Sequence, residues 1–398
     1  MKTITESLRD PLLRLSFMCI TLMGIAVASI VPFQSVIGIE YLGYSKGTYA
    51  LITSIGALIS VSASVAVGIY TDQTGRYRDI LAICNVVGVF AAASVFFLPA
   101  KATFMLAHMV LFPISSTTFT QYFAMASLAA KNNERLNKDV SLSMVRASFA
   151  GAFGLTPPLL AVAVSAGMEL IAVYGVAMVI NSIVLLLVVR LWPRDQSSLE
   201  EKSGISFFEA LRELTRQSIL IRVTLTAFII GVNGLNNILL GLLILNNING
   251  TEADVGWFAG GVALVEAPVM IGIALILKHF TRSAVLLFGC VIYASFLFML
   301  PLQTGMSAAW WLILPAGFGA GILLSVTVGY VQDLVTDRPG AGSSLVAVTH
   351  FGGILIASAT FAAAGVITDY QGTAWIGAVI AVLSGALLFL TDGRAVRA

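Results

Sequence analysis

Long apolar runs alternate with brief polar turns along the whole chain. A helix needs about 20 apolar residues to cross a bilayer. Twelve segments meet that length: 15–39, 47–71, 79–99, 102–129, 140–164 and 168–191, then 219–245, 255–278, 283–301, 307–334, 341–368 and 373–391. The pattern predicts an all-α integral membrane protein of twelve transmembrane helices. Most connections are short. The exception, 192–218, divides the chain into an N-terminal six-helix half (1–191) and a C-terminal half (219–398).

Composition agrees with the pattern. The 398 residues are 58% hydrophobic and 11% charged, whereas soluble proteins carry about 25% charged residues. Such a chain cannot hide its apolar surface in a water-soluble globule, so lipid is its expected solvent. The net charge of +2 comes with basic residues spread over short loops, which argues against nucleic acid as a partner. Cys19, Cys84 and Cys290 lie isolated inside apolar runs, without metal or disulfide spacing. No cofactor and no metal are implied. The first apolar segment follows MKTITESLRDPLLR without a small-residue cleavage site and is expected to stay as a helix.

Lys and Arg set the expected orientation. With the N-terminus in the cytoplasm, nineteen of the 22 fall on the cytoplasmic side, Lys46 and Lys101 fall outside, and Arg146 falls within a span. Both termini are then cytoplasmic, in a bacterial inner membrane. Within the central connection, Ile205 to Gln217 places Phe207, Phe208, Leu211 and Leu214 on one helical face and charges on the other. It is expected to be a helix on the inner membrane surface or a solvated linker helix.

The two halves resemble a diverged repeat. SLSMVRASFAG (141–151) can be laid on SLVAVTHFGG (344–353), with Phe149 over Phe351 and Gly151 over Gly353. Two such halves suggest a transporter that rocks about a central site.

The densest polar pattern is GIYTDQTGRYR, Gly68 to Arg78, between the second and third segments. Gly68 suits a close helix approach, and Asp72 suits the positive end of a neighbouring helix. Gly75 permits a tight turn. Arg76 and Arg78 hold the loop on the cytoplasmic side. This loop resembles the signature loop of the major facilitator superfamily. The resemblance implies that family's fold and a latch between the second and eleventh helices that closes the inner side. Gln73 departs from the pattern, standing where the family often has a basic residue.

Within the superfamily the chain is most similar to bacterial sugar efflux transporters. SMVRASFAGAFGLTPP (143–158), VEAPVM (265–270), YVQDLVTDRPGAGSSL (330–345) and IVPFQSVIG carry that similarity. It implies efflux of sugars and a monomer. Proton antiporters of the superfamily often have an arginine in the fourth helix, and this chain has none there.

Two charged side chains lie deep in spans. Arg146 is about eight residues into the fifth segment, roughly 12 Å, where a charge costs at least about 2.5 kcal/mol. Glu266 lies near the centre of the eighth. In the superfamily fold these helices face each other, so the pair is expected to couple protons to substrate, with Glu266 as carrier, or else to be a static pair. His350 carries protons too or is simply bonded to a neighbour. Asn233, Asn236 and Asn237 share a helical face at i, i+3 and i+4. Their amides suit hydroxyl-rich ligands or glue helices together. Gln121 and Tyr122 lie at the depth of Arg146, and Gln34 nearer the outside, as further substrate contacts.

The expected function is secondary active transport, proton-coupled efflux of sugars or related polar solutes. A multidrug or metabolite exporter, or an importer, of the same superfamily is the alternative. No P-loop pattern occurs, and scattered His and Cys supply no enzyme centre. The expected partners are a small-molecule substrate, protons and the lipid bilayer.

Overall fold

The computed structural model describes residues 9–133, 136, 138–193, 216–334 and 339–395. All regular structure among them is helical. Twelve helices are long and apolar enough to span a membrane: α1 Pro11–Ile30, α2 Lys46–Thr71, α3 Tyr77–Phe97, α4 Lys101–Ala130, α5 Ser141–Ser165, α6 Ala172–Leu191, α7 Gln217–Asn246, α8 Glu252–Ile273, α9 Arg282–Leu302, α10 Met306–Asp333, α11 Leu345–Ile367 and α12 Tyr370–Gly393. The expected amphipathic segment 205–217 lies outside the described residues except for its last two.

Local chemistry moves several boundaries. Helix α1 starts earlier than the apolar run, because the Asp10 carboxylate accepts the Leu12 and Leu13 N–H groups at 3.0 Å and Pro11 fills the first turn. It ends at Ile30, two residues before Pro32, which has no N–H to continue the ladder. A short helix Gln34–Val36 and a π-turn Ile37–Tyr41 follow. The segment predicted as 15–39 is therefore broken. Helix α4 is interrupted similarly by a π-turn, Ala107–Leu111, just before Pro113. Helix α5, by contrast, runs through Pro157 and Pro158. There the Thr156 hydroxyl donates to the Ala152 carbonyl at 2.7 Å.

The chain forms two compact units. The first comprises Met1–Val31 and Leu58–Ser203, the second Pro32–Ala57 and Gly204–Ala398. In the first, α1 packs on α5 and α6, and α3 packs on α6. In the second, α7 packs on α11 and α12, and α9 packs on α12. These are the same pairings six helices on, which is the pseudo-symmetry of a repeat. The central contacts are close in both. A Cβ on Gly24 of α1 would meet the Phe149 carbonyl at 2.8 Å, and one on Gly231 of α7 would meet the Gly353 carbonyl at 3.1 Å.

The units do not divide simply at the central connection, because Pro32–Ala57 packs with the second unit. Val36 and the Pro32 carbonyl lie against Gly241 of α7. Asn246 donates to Glu40 Oε1 at 3.0 Å, and the Tyr41 hydroxyl bonds Glu252. Farther along, Thr53 and Ser358 share a hydroxyl hydrogen bond of 2.8 Å.

Candidate functional site

In the second unit the polar residues of three helices converge. Asn233 and Asn236 lie one turn apart on α7. The Tyr293 hydroxyl of α9 donates to Asn233 Oδ1 at 3.0 Å. Asn236 and, on α8, Glu266 lie in the neighbourhood of the same hydroxyl. Asn236 is 6% exposed, and its Oδ1 is buried without a hydrogen-bond partner. A buried acceptor left unsatisfied costs about 1–3 kcal/mol. Glu266 is half-buried, and its carboxylate forms no hydrogen bond or ion pair among the described residues. Asn237 is exposed and stays outside the cluster. Of the three amides expected on one face, Asn237 thus points away from the other two, because one residue step turns the side chain by about 100°. His350 on α11 and Gln34 are both half-buried, and neither joins Tyr293.

Tyr293 is the residue that sequence reasoning missed. One tyrosine in an apolar run has the same pattern as a core aromatic. Only the packing of the second unit brings its hydroxyl to the Asn233 amide.

The first unit holds a separate group. Arg146 on α5 is exposed, and its guanidinium lies 5.8 Å from the centre of the Phe123 ring, within cation–π range. Phe119 packs edge-on to Phe123 and Phe149, at 5.0 and 5.2 Å between centroids. Gln121 is 4% exposed, with a buried Oε1 that lacks a partner. Tyr122 does not line a site. It is fully buried among Leu12, Leu13, Met125 and Val145, and its hydroxyl accepts from Asn85 Nδ2 at 2.9 Å. Its depth, level with Arg146, made it look like a lining residue, but depth does not say which way a side chain on the helix turns.

The loop between α2 and α3 is built as its residues suggest at one point and differently at another. Gly75 has φ +67° and donates to the Thr71 carbonyl at 2.8 Å, ending the helix in the left-handed conformation that glycine favours. Arg76 is exposed. Arg78 reaches the last turn of α6, donating to the Val189 carbonyl at 2.8 Å, where a cation complements the helix dipole. The side chain of Asp72 is not among those described. At Gly68 an added Cβ would meet no atom of the described residues within 4 Å.

Among the described residues no group of three or more His, Cys, Asp or Glu is placed to hold a metal ion. No protein-family model matches the chain. Its backbone superposes on the crystal structure of a mutant of the nucleoside transporter NupG with TM-score 0.81, over 96% of this chain and 99% of that one, at 12% identity. The chain has the major facilitator fold. By sequence it is similar to Sugar efflux transporter B of Salmonella typhimurium, 25% identical over 363 residues, 91% of each chain. It is also similar to Sugar efflux transporter A of Escherichia coli K12, 23% identical over 380 residues, 93% of each. The similarity expected from the residues is therefore found. These relatives and this neighbour are named as transporters and not as enzymes, which supports a membrane transporter. The twelve spans and bacterial relatives support a multi-pass protein of the bacterial inner membrane.

Proposed function

We propose that this protein is a secondary active transporter that exports sugars or related polar solutes, coupled to protons, by alternating access, and that it works as a monomer with both termini cytoplasmic. The observation that carries the solute class is the cluster of Asn233, Asn236 and Tyr293. These are neutral groups that both donate and accept, packed into an apolar bundle where a drug site would offer bare hydrophobic surface. In this reading Gln121, Asn237 and Gln34 are further polar contacts. Glu266 is the proton carrier, Arg146 tunes it, and His350 is a second titratable group on the pathway. Gly68, Asp72, Gly75, Arg76 and Arg78 form the latch that controls the cytoplasmic side. The efflux direction follows the names of the relatives.

The test is transport by the full chain in inverted membrane vesicles. A labelled methyl hexopyranoside is expected to accumulate when the interior is acidified, and uncoupler is expected to abolish the accumulation. Accumulation of amphipathic dyes but of no sugar would move the protein to the multidrug class.

A further inference from the structure

We infer that the first unit holds a carboxylate subsite, in which Arg146 pairs with the acid group of a hexuronic acid glycoside while the neighbouring phenylalanine rings pack against the sugar. The inference rests on the sugar reading and extends it to acidic sugars as the preferred ligands.

A guanidinium stays charged at every pH a cell meets. Arg146 lies about 12 Å along a helix that begins at Lys138, within the span α5, and it is exposed. A charge facing lipid at that depth is costly, so an exposed one opens onto water and is within reach of a solute. Charged side chains inside spans are normally paired. Among the described residues Arg146 makes no ion pair and no hydrogen bond. Its contact is the face of Phe123, with the guanidinium 5.8 Å from the ring centre. That contact orients the guanidinium but neither neutralises its charge nor uses its five N–H donors. An anionic ligand does both.

The rings beside it decide what kind of anion fits. Arg146, Phe149 and Phe153 follow at i, i+3 and i+7 and so share one face of α5. Phe119 and Phe123 stand one turn apart on α4. The ring centres form a chain, with 5.0 Å from Phe123 to Phe119, 5.2 Å from Phe119 to Phe149 and 6.1 Å from Phe149 to Phe153. All four rings are half-buried. Gly24 of α1 closes on Phe149, where an added Cβ would meet the ring at 3.3 Å. The result is a firm aromatic surface with a cation at one end. A pyranose packs its C–H face on such rings, and the carboxylate of a uronate accepts two parallel N–H bonds from the guanidinium fork. One guanidinium offsets the single charge of a carboxylate. A phosphate monoester carries about −1.5 to −2 near neutral pH and would be offset only in part.

The experiment is equilibrium binding to the full chain in an amine-oxide detergent, because glycoside detergents are themselves sugars. The probes are the methyl glycosides of glucose and galactose, the matching methyl hexuronosides, and the methyl esters of those acids, which have nearly the same shape and no charge. Wild type is expected to bind an acid at least about tenfold more tightly than its neutral parent and its ester, as a charge-assisted pair predicts. Arg146→Gln keeps a polar side chain without the charge and is expected to bring acid and parent within about threefold of each other. Loss of packing alone would weaken acid and parent alike and leave the ratio unchanged. An unchanged ratio in Arg146→Gln overturns the inference and leaves the sugar reading standing. So does a ratio near one in wild type, the result expected if Arg146 meets a lipid phosphate instead. Absence of binding by every probe to wild type overturns the sugar reading and, with it, the ligand class assigned here. If Arg146→Gln does not fold, Ala150→Cys takes its place. Ala150 is exposed one turn on from Arg146, and the three native cysteines are buried. Saturating hexuronoside is expected to slow labelling of that thiol by a water-soluble maleimide at least about threefold, since a bound sugar covers the adjoining turn. Labelling at the same rate with and without the hexuronoside overturns the inference.

Discussion

The Lys46 ammonium lies 4.4 Å from the centre of the Tyr370 ring and donates to the Thr368 carbonyl at 3.4 Å. With the bonds from Glu40, Tyr41 and Thr53, this contact fastens Pro32–Ala57 to the rest of the second unit. An exposed cation–π contact is worth about 0.5–1 kcal/mol. Lys46→Met should therefore shift the balance toward release about two- to fivefold. A suitable reporter is Ser358→Cys, since Ser358 is fully buried beneath Thr53 and the three native cysteines are buried. Maleimide labelling of that thiol is expected to speed up by this factor in Lys46→Met. An unchanged rate would mean that Lys46 holds nothing in place.

At the opposite end of the second unit, Arg222 Nε donates to Asp392 Oδ1 at 2.9 Å, and the Tyr330 hydroxyl donates to the same oxygen at 2.9 Å. One carboxylate thus joins α7, α10 and α12. Asp392→Ala leaves a partly buried guanidinium and a hydroxyl without their acceptor, a cost of about 1.5–3 kcal/mol. The melting temperature in detergent should fall by about 3–10 °C. Tyr330→Phe removes one neutral donor and should cost less. Arg222→Met combined with Asp392→Leu should recover most of the loss, as apolar replacements of ion pairs commonly do. A single Asp392→Ala variant that melts with wild type would refute the role of this junction.

The two glycines of the α2–α3 loop should respond differently. Gly75 has φ +67°, and a side chain in that conformation costs roughly 1–2 kcal/mol. Gly75→Ala is expected to destabilise by that amount in thermal denaturation, and Gly75→Asn by less. Gly68 faces open space, so Gly68→Ala should leave stability within about 0.5 kcal/mol. If Gly68 serves the latch proposed above, Gly68→Ala still slows transport in vesicles. Wild-type transport by Gly68→Ala would remove it from the latch.

Much of this architecture was legible because lipid imposes a simple rule: each span must be long and apolar, and its backbone must be paired within itself. The breaks at Pro32 and Pro113 are visible as prolines, but whether a helix stops or continues there depends on its neighbours. Pro157 and Pro158, two together, do not stop α5. In the candidate site, Asn233 and Asn236 stood out because amides are costly in an apolar run. Tyr293 did not, since a tyrosine is at home in one and its partner lies 60 residues away. Tyr122 was placed by its depth in the membrane, which says nothing about the direction of its side chain, and it is buried with its hydroxyl on Asn85. Arg78 was read as a topological charge, and its bond to Val189 spans 111 residues. What escaped the sequence were tertiary contacts between polar atoms, which no local pattern encodes.

Glu266 is the proton carrier proposed above. It is half-buried on α8, and its carboxylate makes no hydrogen bond or ion pair among the described residues. A structural carboxylate in a membrane is normally held by a partner, because an unpaired charge there is expensive. A carboxylate left to exchange a proton must be able to exist without one. Glu266→Gln keeps the size and polarity of the side chain but cannot release a proton. Sugar binding by this variant should therefore remain within about threefold of wild type, which corresponds to less than about 0.7 kcal/mol. Exchange of labelled for unlabelled sugar across vesicles at equal pH should persist, since it needs no net proton movement. Accumulation against a gradient, driven by a pH difference, should disappear. Retained proton-driven accumulation would exclude Glu266 as the carrier. Loss of exchange together with accumulation would instead make it a ligand contact.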